Sequence, residues 1–171
     1  NNLPPWYLFK PALLTATDDI ATGLTNTRQA FANAMHNQKQ AATLAKELVR
    51  NTSNDEEAIT AIRDYVLRRI RFAGPSFASL PANDSVTPAD TTLHDGYGHS
   101  ADRSILLATM LCAAGFDAEP ILVNLNRQRP TDLYNNLRKF ESPTAYSQVL
   151  VRINNRPGLL RRLFSSKRPL P

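Results

Sequence analysis

A short polar stretch with two glycines stands directly before an apolar helical pattern, and it has the form of an active-site turn. It reads Asp95-Gly-Tyr-Gly-His-Ser-Ala-Asp102, and the helical pattern follows from Arg103 to Ala114. The first turn of a helix carries unpaired N–H groups and the positive end of the helix dipole, which stabilise a thiolate or an oxyanion. A cysteine at this place could act as a nucleophile. This chain instead has Ser100, a hydroxyl with a far higher pKa than a thiol.

The elements that must hold Ser100 in place follow in a regular order. Gly115 ends the helical pattern, and the apolar run from Ala118 to Asn124 predicts a buried strand. Residues Tyr146 to Ile153 alternate between apolar and polar types, which predicts a second strand. The pattern therefore places a serine at the start of a buried helix that packs against a sheet.

These motifs, in this order, resemble those of the transglutaminase-like superfamily, a branch of the papain-like folds, and in particular its bacterial members that follow a β-rich domain. The family pattern is a Gly-Asp-Cys-x-Asp-Lys turn, a helix ending in glycine, a strand, an aromatic-Asn-His-Val strand, and an Asp on the next strand. Residues Tyr97 to Arg103 lie over the turn, with Ser100 at the Cys position and Asp102 at the family's Asp. Gln148 stands where the family has its His.

The resemblance covers residues from about Leu44 to Val151 and implies an α+β fold with a transglutaminase-like (papain-like) core. In that fold a helical N-terminal layer packs on a small antiparallel sheet. With 171 residues the chain suits one domain, which we place at 17–171. The Pro-rich, aromatic residues 1–16 suit an extended arm or linker. We expect the domain to be part of a larger protein.

The resemblance implies a Cys-His-Asp site in which every member has been replaced. The amide of Gln148 does not titrate and cannot take a proton from Ser100. No Asp or Glu follows Glu141, so the returning strand carries no carboxylate. A Cys-to-Ser change alone could have been introduced by mutagenesis. The loss of all three catalytic residues points instead to a naturally inactive protein. His99 and His94 are the possible rescue bases, although adjacent side chains at a turn usually point apart.

Three hypotheses for the function follow from these replacements, and the sequence leaves catalysis open while favouring its loss. The first is an inactive domain that binds a peptide or protein segment or serves as a scaffold for neighbouring domains. The second is a Ser-dependent acyl transferase or amide hydrolase that uses Ser100, and the third is a structural spacer. The resemblance alone suggests a periplasmic or secreted protein. The predicted binding cleft contains Tyr97, His99, Ser100, Asp102 and Gln148.

Other residues that could do chemistry have simpler interpretations. Cys112 is the one cysteine, which excludes an internal disulfide, and we expect it to be a buried structural thiol. Asp102 is either an acid favoured by the helix dipole or a residue that holds the turn by accepting backbone N–H groups. We predict no metal site and no cofactor. The histidines are not spaced as metal ligands, and we assign turn chemistry rather than calcium binding to Asp84, Asp90 and Asp95.

The remaining secondary structure is mostly helical before the turn. We predict helices at about 18–36 and 38–50, and a third helix from a capping box at Ser53-Asn-Asp-Glu56 to about Ile70. Residues 73–97 are expected to be poor in helix, and a loop of that length shapes or covers a site. Between the two predicted strands we predict a short helix at 133–140, and after the second strand a hairpin partner at 159–164.

The charge is unevenly distributed along the chain. Residues 1–126 carry ten basic and thirteen acidic groups, whereas residues 127–171 carry ten basic and two acidic groups. The basic part is either a solvated face or a contact for an acidic domain, a membrane surface or nucleic acid. Nucleic acid is the least favoured, because the aromatic residues there are too scattered to stack bases. No apolar run approaches the roughly 20 residues that a membrane-spanning helix needs.

Overall fold

The computed structural model describes residues 20–75, 77, 86–123 and 148–154, and helices make up most of this part. The helices are α1 (Ile20–Met35), α2 (Lys39–Val49), α3 (Asp55–Arg69), α4 (Ala89–Asp95) and α5 (Ser100–Ala113). The strands are β1 (Arg71–Phe72), β2 (Tyr97–Gly98), β3 (Ala118–Val123) and β4 (Gln148–Ile153). The predicted arm at 1–16, the helix at 133–140 and the hairpin strand at 159–164 lie outside the described residues.

Helix α5 forms the centre of the fold. It is apolar on most of its surface, and its side chains at Ile105, Leu106 and Met110 are fully buried. All four other helices and both strands β3 and β4 pack against it. A helix that is apolar all round is stable only when it is covered on every side. The predicted α+β architecture, with a helical layer on a small antiparallel sheet, is thereby confirmed.

The two pairs of strands differ in direction. Strands β1 and β2 form a parallel pair only two residues long, whereas β3 and β4 pair antiparallel from Ala118–Ile153 to Val123–Gln148. On β4, Val149, Val151 and Ile153 pack against the core. Because side chains alternate along a strand, Gln148 is placed on the opposite face of the sheet. Both predicted strands are confirmed in their described parts.

The outer face of the antiparallel pair carries a cross-strand ion pair. Glu119 Oε1 accepts hydrogen bonds from Arg152 Nη2 at 2.6 Å and from Asn154 Nδ2 at 3.2 Å. The hydrogen bonds from Arg152 and then Asn154 lower the pKa of Glu119 below its ordinary value of 4.5. A lowered carboxyl pKa stabilises the fold above about pH 4.5, and this contribution is lost as the pH falls. Because the group is exposed, the contribution is small.

The capping box at the start of α3 lies one residue later than predicted. Asn54, not Ser53, is the N-cap, and its side-chain oxygen accepts the N–H of Glu57 at 2.9 Å. Glu57 in turn accepts the N–H of Ser53 at 2.8 Å. The predicted pairing of Ser53 with Glu56 is therefore wrong. The sequence places acceptable capping groups at adjacent positions, and both registers satisfy the pattern.

The prediction that residues 73–97 contain little helix is wrong in its last part, where α4 forms. This helix has only seven residues and ends at Gly96, whose φ of 71° is in the left-handed region that glycine adopts without strain. Isolated helices of this length are unstable in water. Its stability must therefore come from tertiary contacts, which a local pattern does not show.

Helices α2 and α4 cap each other across the fold. Asp90 on α4 accepts the N–H groups of Gln40 at 3.0 Å and Ala41 at 2.8 Å, both in the first turn of α2. In return, the side-chain oxygen of Gln38 accepts the N–H of Asp90 at 2.8 Å. The turn chemistry predicted for Asp90 is wrong, because its carboxylate caps a helix about 50 residues away.

No helix in the described ranges is long and apolar enough to cross a membrane.

Replacing Asp90 with alanine should lower the free energy of unfolding by about 1–2 kcal/mol, because two N–H groups of α2 lose their acceptor. Asp95→Ala is the matched control, since Asp95 forms an ion pair with the exposed ring of His94 and an exposed ion pair contributes little. Urea unfolding measures both changes. Equal losses in the two variants would contradict the capping role.

Candidate functional site

The turn before α5 is fixed by backbone hydrogen bonds from β1. Arg71 N donates to Gly96 O at 2.9 Å and Ala73 N donates to Gly98 O at 3.0 Å. The chain then enters α5, whose first residue is Ser100. The helix begins three residues earlier than the predicted Arg103. The structure therefore places Ser100 in the first turn of the central helix, as the sequence predicts.

His99 is the N-cap of α5. Its Nδ1 accepts the N–H of Ala101 at 3.1 Å and that of Asp102 at 3.4 Å. Its Nε2 lies 3.3 Å from Asp102 Oδ2. The ring is buried, with its centroid 6.4 Å from that of Phe77. An acceptor at Nδ1 assigns the neutral ring's proton to Nε2, so both nitrogens are engaged within the turn.

This cap occupies two N–H groups in the helix turn that begins with Ser100. The N–H groups of the second and third helical residues, Ala101 and Asp102, both point at the ring of His99. An oxyanion is stabilised by donors aimed at the place where its charge develops. Here these two donors are already directed at Nδ1 of His99. They are therefore not free to stabilise a negative charge that develops at Ser100.

Asp102 holds the turn together from inside. Its residue is 4% exposed, its Oδ1 accepts Thr87 N at 2.7 Å, and its Oδ2 accepts His99 N at 3.1 Å. A buried carboxylate is costly unless such donors surround it. Of the two interpretations given for Asp102, the structure shows the one in which it accepts backbone N–H groups. Thr87, which the sequence pattern does not single out, ties the chain before α4 to this turn.

Gly98 is required by the close approach of the turn to α5. A Cβ atom at this position would lie 2.8 Å from Asp102 Cβ and 3.2 Å from Thr92 Cγ2. The first distance is far below ordinary van der Waals contact. Only glycine therefore fits between α4 and the Asp102 side chain.

The structure describes all three histidines, and none of them forms a hydrogen bond with Ser100. Ser100 is half-buried, and no hydrogen bond joins its hydroxyl to an imidazole within the described ranges. His94 is exposed, and its Nδ1 lies 3.0 Å from the Asp95 carboxylate. His36 is exposed beyond the end of α1. Neither of the two predicted rescue bases, His99 and His94, is therefore hydrogen-bonded to Ser100.

Gln148 lies at the same end of the fold as Ser100. The hydroxyl of Ser104, one turn after Ser100, donates to Val149 O at 2.7 Å. The other end of the contact between α5 and the sheet is fixed where Cys112 Sγ donates to Ala118 O at 3.0 Å. Helix α5 and strand β4 therefore meet along their lengths, with Gln148 level with the first turns of the helix. Sequence patterns gave no signal for the role of Ser104.

The five residues of the predicted cleft fall into two groups. His99 and Asp102 are buried and serve the turn, so they do not line an open surface. Tyr97 is 56% exposed, whereas Ser100 and Gln148 are half-buried. The described residues also form a groove of about 570 Å³ between α1 and Pro88, lined by the amides of Asn26 and Asn33 among others. Ser100 does not line this groove.

Cys112 differs from the sequence expectation. It is exposed, not a buried thiol, although its sulfur lies against the backbone of β3. Desolvation of the sulfur is the main reason that the pKa of Cys112 is raised, and the nearby Asp117 adds to it. The Ala118 hydrogen bond acts in the opposite direction. A raised pKa makes the thiolate scarce at neutral pH, so Cys112 is not an activated nucleophile.

Comparisons with known proteins agree with this geometry. The family model described as the transglutaminase-like superfamily matches residues 42–155. A solved structure from Parabacteroides distasonis ATCC 8503, named as a "putative protease", has a TM-score of 0.59 and 21% sequence identity. The alignment covers 77% of this chain but only 24% of that chain, so the similarity concerns the fold of one part of a larger protein. No curated protein matches the sequence.

Replacing His99 with alanine should lower the free energy of unfolding by about 2 kcal/mol, because the cap and a buried ring are both lost. His99→Asn keeps a side-chain acceptor for the helix N–H groups and should lose less than half as much. Chemical unfolding of both variants measures the difference. If asparagine were no better than alanine, His99 would contribute by packing alone.

Gly98→Ala should lower the free energy of unfolding by about 1–3 kcal/mol, because the added methyl group overlaps the Asp102 side chain. Thermal unfolding with circular dichroism checks this expectation. An unchanged melting temperature would show that the turn and α5 are not in such close contact.

Proposed function

Because the chain belongs to the transglutaminase-like superfamily, we propose that it is a catalytically inactive domain of that family which binds a peptide or protein segment. In this proposal the turn at Ser100 keeps the backbone of an active site and has lost its proton-transfer groups. The domain then contributes a binding or scaffold surface to a larger protein.

The observation that carries the proposal is the capping of α5 by His99. Acyl transfer requires a nucleophile, a base that removes its proton, and donors that stabilise the oxyanion. The ring of His99 is bound to Ala101 and Asp102, so it is not a free base for Ser100. The same ring also occupies two of the N–H donors in the first turn of the helix, and both contacts support the proposal.

Gln148 supports the same proposal from the sheet side. It lies at the level of the first turns of α5, where the family resemblance implies a histidine, and its amide cannot accept the Ser100 proton. The half-buried hydroxyl of Ser100 and the exposed ring of Tyr97 offer contacts to an extended segment, whereas the Gln148 side chain lies on the other face of the sheet.

The cellular location of the domain is also a proposal. The resemblance to bacterial members of the family favours a periplasmic or secreted protein. Fractionation of the producing cells, with detection of the full-length protein, tests this point directly.

The inactive state is tested with a fluorophosphonate probe that labels activated serines. We expect the wild-type domain and the Ser100→Ala variant to label equally weakly, because no base activates the hydroxyl of Ser100. A known serine hydrolase in the same reaction controls for the activity of the probe. Strong labelling that disappears in Ser100→Ala would instead support the second hypothesis, a Ser-dependent acyl transferase or amide hydrolase.

A further inference from the structure

Two arginines stand on the surface that leads to Ser100. Arg69 ends α3 and Arg71 begins β1, on either side of the buried Ile70. Both lie beside Gly96, since Arg71 N donates to Gly96 O at 2.9 Å and Arg69 O is 4.0 Å from where a Cβ atom on Gly96 would lie. Both arginines are exposed. Arg71 is also paired with Tyr97 in the parallel register of β1 and β2, which places their side chains next to each other on one face. We call Arg69, Arg71 and Tyr97 the arginine–tyrosine surface.

The charge of this surface is not neutralised within the described part of the chain. The nearest acid on α3, Asp64, already pairs with Arg63 at 2.8 Å and with Arg68 at 3.6 Å. The acid that precedes β2, Asp95, lies 3.0 Å from His94. No described acidic side chain forms an ion pair with Arg69 or Arg71. Arg69 interacts favourably with the negative end of the α3 dipole, because it is the last residue of that helix. Arg71 lies beyond the helix and has no such interaction.

The combination of residue types indicates what would bind. Arginine carries a planar fork that matches a carboxylate, and its weak hydration makes it suited to interfaces. Tyrosine offers a large apolar ring with one hydroxyl, and both types are enriched in binding hot spots. Two exposed aromatic rings lie here, Tyr97 and Phe72, but Phe72 alternates with Arg71 and so lies on the opposite face of β1. The described residues therefore place one ring, not a row of stacking rings as used for nucleic acid, beside Arg71.

We infer that the segment bound at this site is acidic, and that Arg69 and Arg71 hold its carboxylates while Tyr97 packs against its backbone or an apolar side chain. This inference rests on the proposed binding function and names the chemistry of its ligand. Tyr97 precedes Ser100 by three residues, so a segment lying over Tyr97 continues towards the first turn of α5. The basic surface would also speed association with an acidic partner.

The test uses fluorescence anisotropy with a short fluorescein-labelled peptide composed of glutamate, glycine and leucine. The Arg69→Ala/Arg71→Ala double variant should bind it about tenfold or more weakly than the wild type, since two charge contacts are lost. The matched control is Arg28→Ala/Arg50→Ala, which removes the same charge from exposed positions outside the surface. All variants keep the basic residues of 127–171, so any peptide held there contributes equally. Circular dichroism verifies that each variant is folded.

Two further measurements separate the alternatives. Tyr97→Ala should weaken binding several-fold without changing its dependence on salt, because the ring contributes no charge. Replacing every glutamate of the peptide with glutamine should abolish the difference between the double variants. Equal losses in the two double variants would overturn the inference, as would a single-stranded oligonucleotide that binds more tightly with the same sensitivity to Arg69 and Arg71. Labelling of Ser100 by the serine probe would defeat the inactive-domain proposal alone and leave the acidic ligand in place.

Discussion

The fold around the candidate site depends on one buried carboxylate and the donors that surround it. Asp102 lies in the first turn of the central helix and accepts hydrogen bonds from the backbone at Thr87 and at His99. A carboxylate with 4% exposure is stable only when its oxygens are satisfied. The chain before α4, the glycine turn and the start of α5 therefore meet at a single group. Each of them is positioned by the need to satisfy it.

The same constraint determines which residue caps the helix that begins at Ser100. The hydrogen bond from His99 N to Asp102 holds the turn against the helix. The residue before Ser100 is thereby the N-cap, and here that residue is a histidine. Its ring takes the N–H groups of Ala101 and Asp102 and is enclosed beside Phe77. A histidine is usually the base in such a site, but this one is a structural acceptor. Residue type alone is thus a poor guide to role when the backbone around it is unknown.

The sequence was sufficient for the central helix, the two longer strands and the position of Ser100, because each rests on a local pattern of glycine and apolar residues. It was not sufficient for α4 or for the role of Asp90, since these depend on contacts with α2 about 50 residues away. The capping box at α3 was found with an error of one residue because Ser53 and Asn54 are both good caps. Cys112 was wrongly predicted to be buried because its sequence neighbours are apolar, whereas it lies on the exposed side of α5. The position of His99 could be predicted, but its ring orientation required the three-dimensional structure.

The exchange of caps between Gln38 and Asp90 has a consequence for how this domain acquires its shape. The first N–H groups of each helix find their side-chain acceptors only when the other helix is in place. Helix α4 is also too short to be stable by itself. Ordering of the segment before the Ser100 turn must therefore accompany the docking of α2, rather than precede it as an independent local event. Thr87 and Gly96 flank α4; Thr87 is hydrogen-bonded to Asp102, and Gly96 is hydrogen-bonded to Arg71. The geometry at Ser100 therefore depends on contacts between segments that are far apart in the sequence.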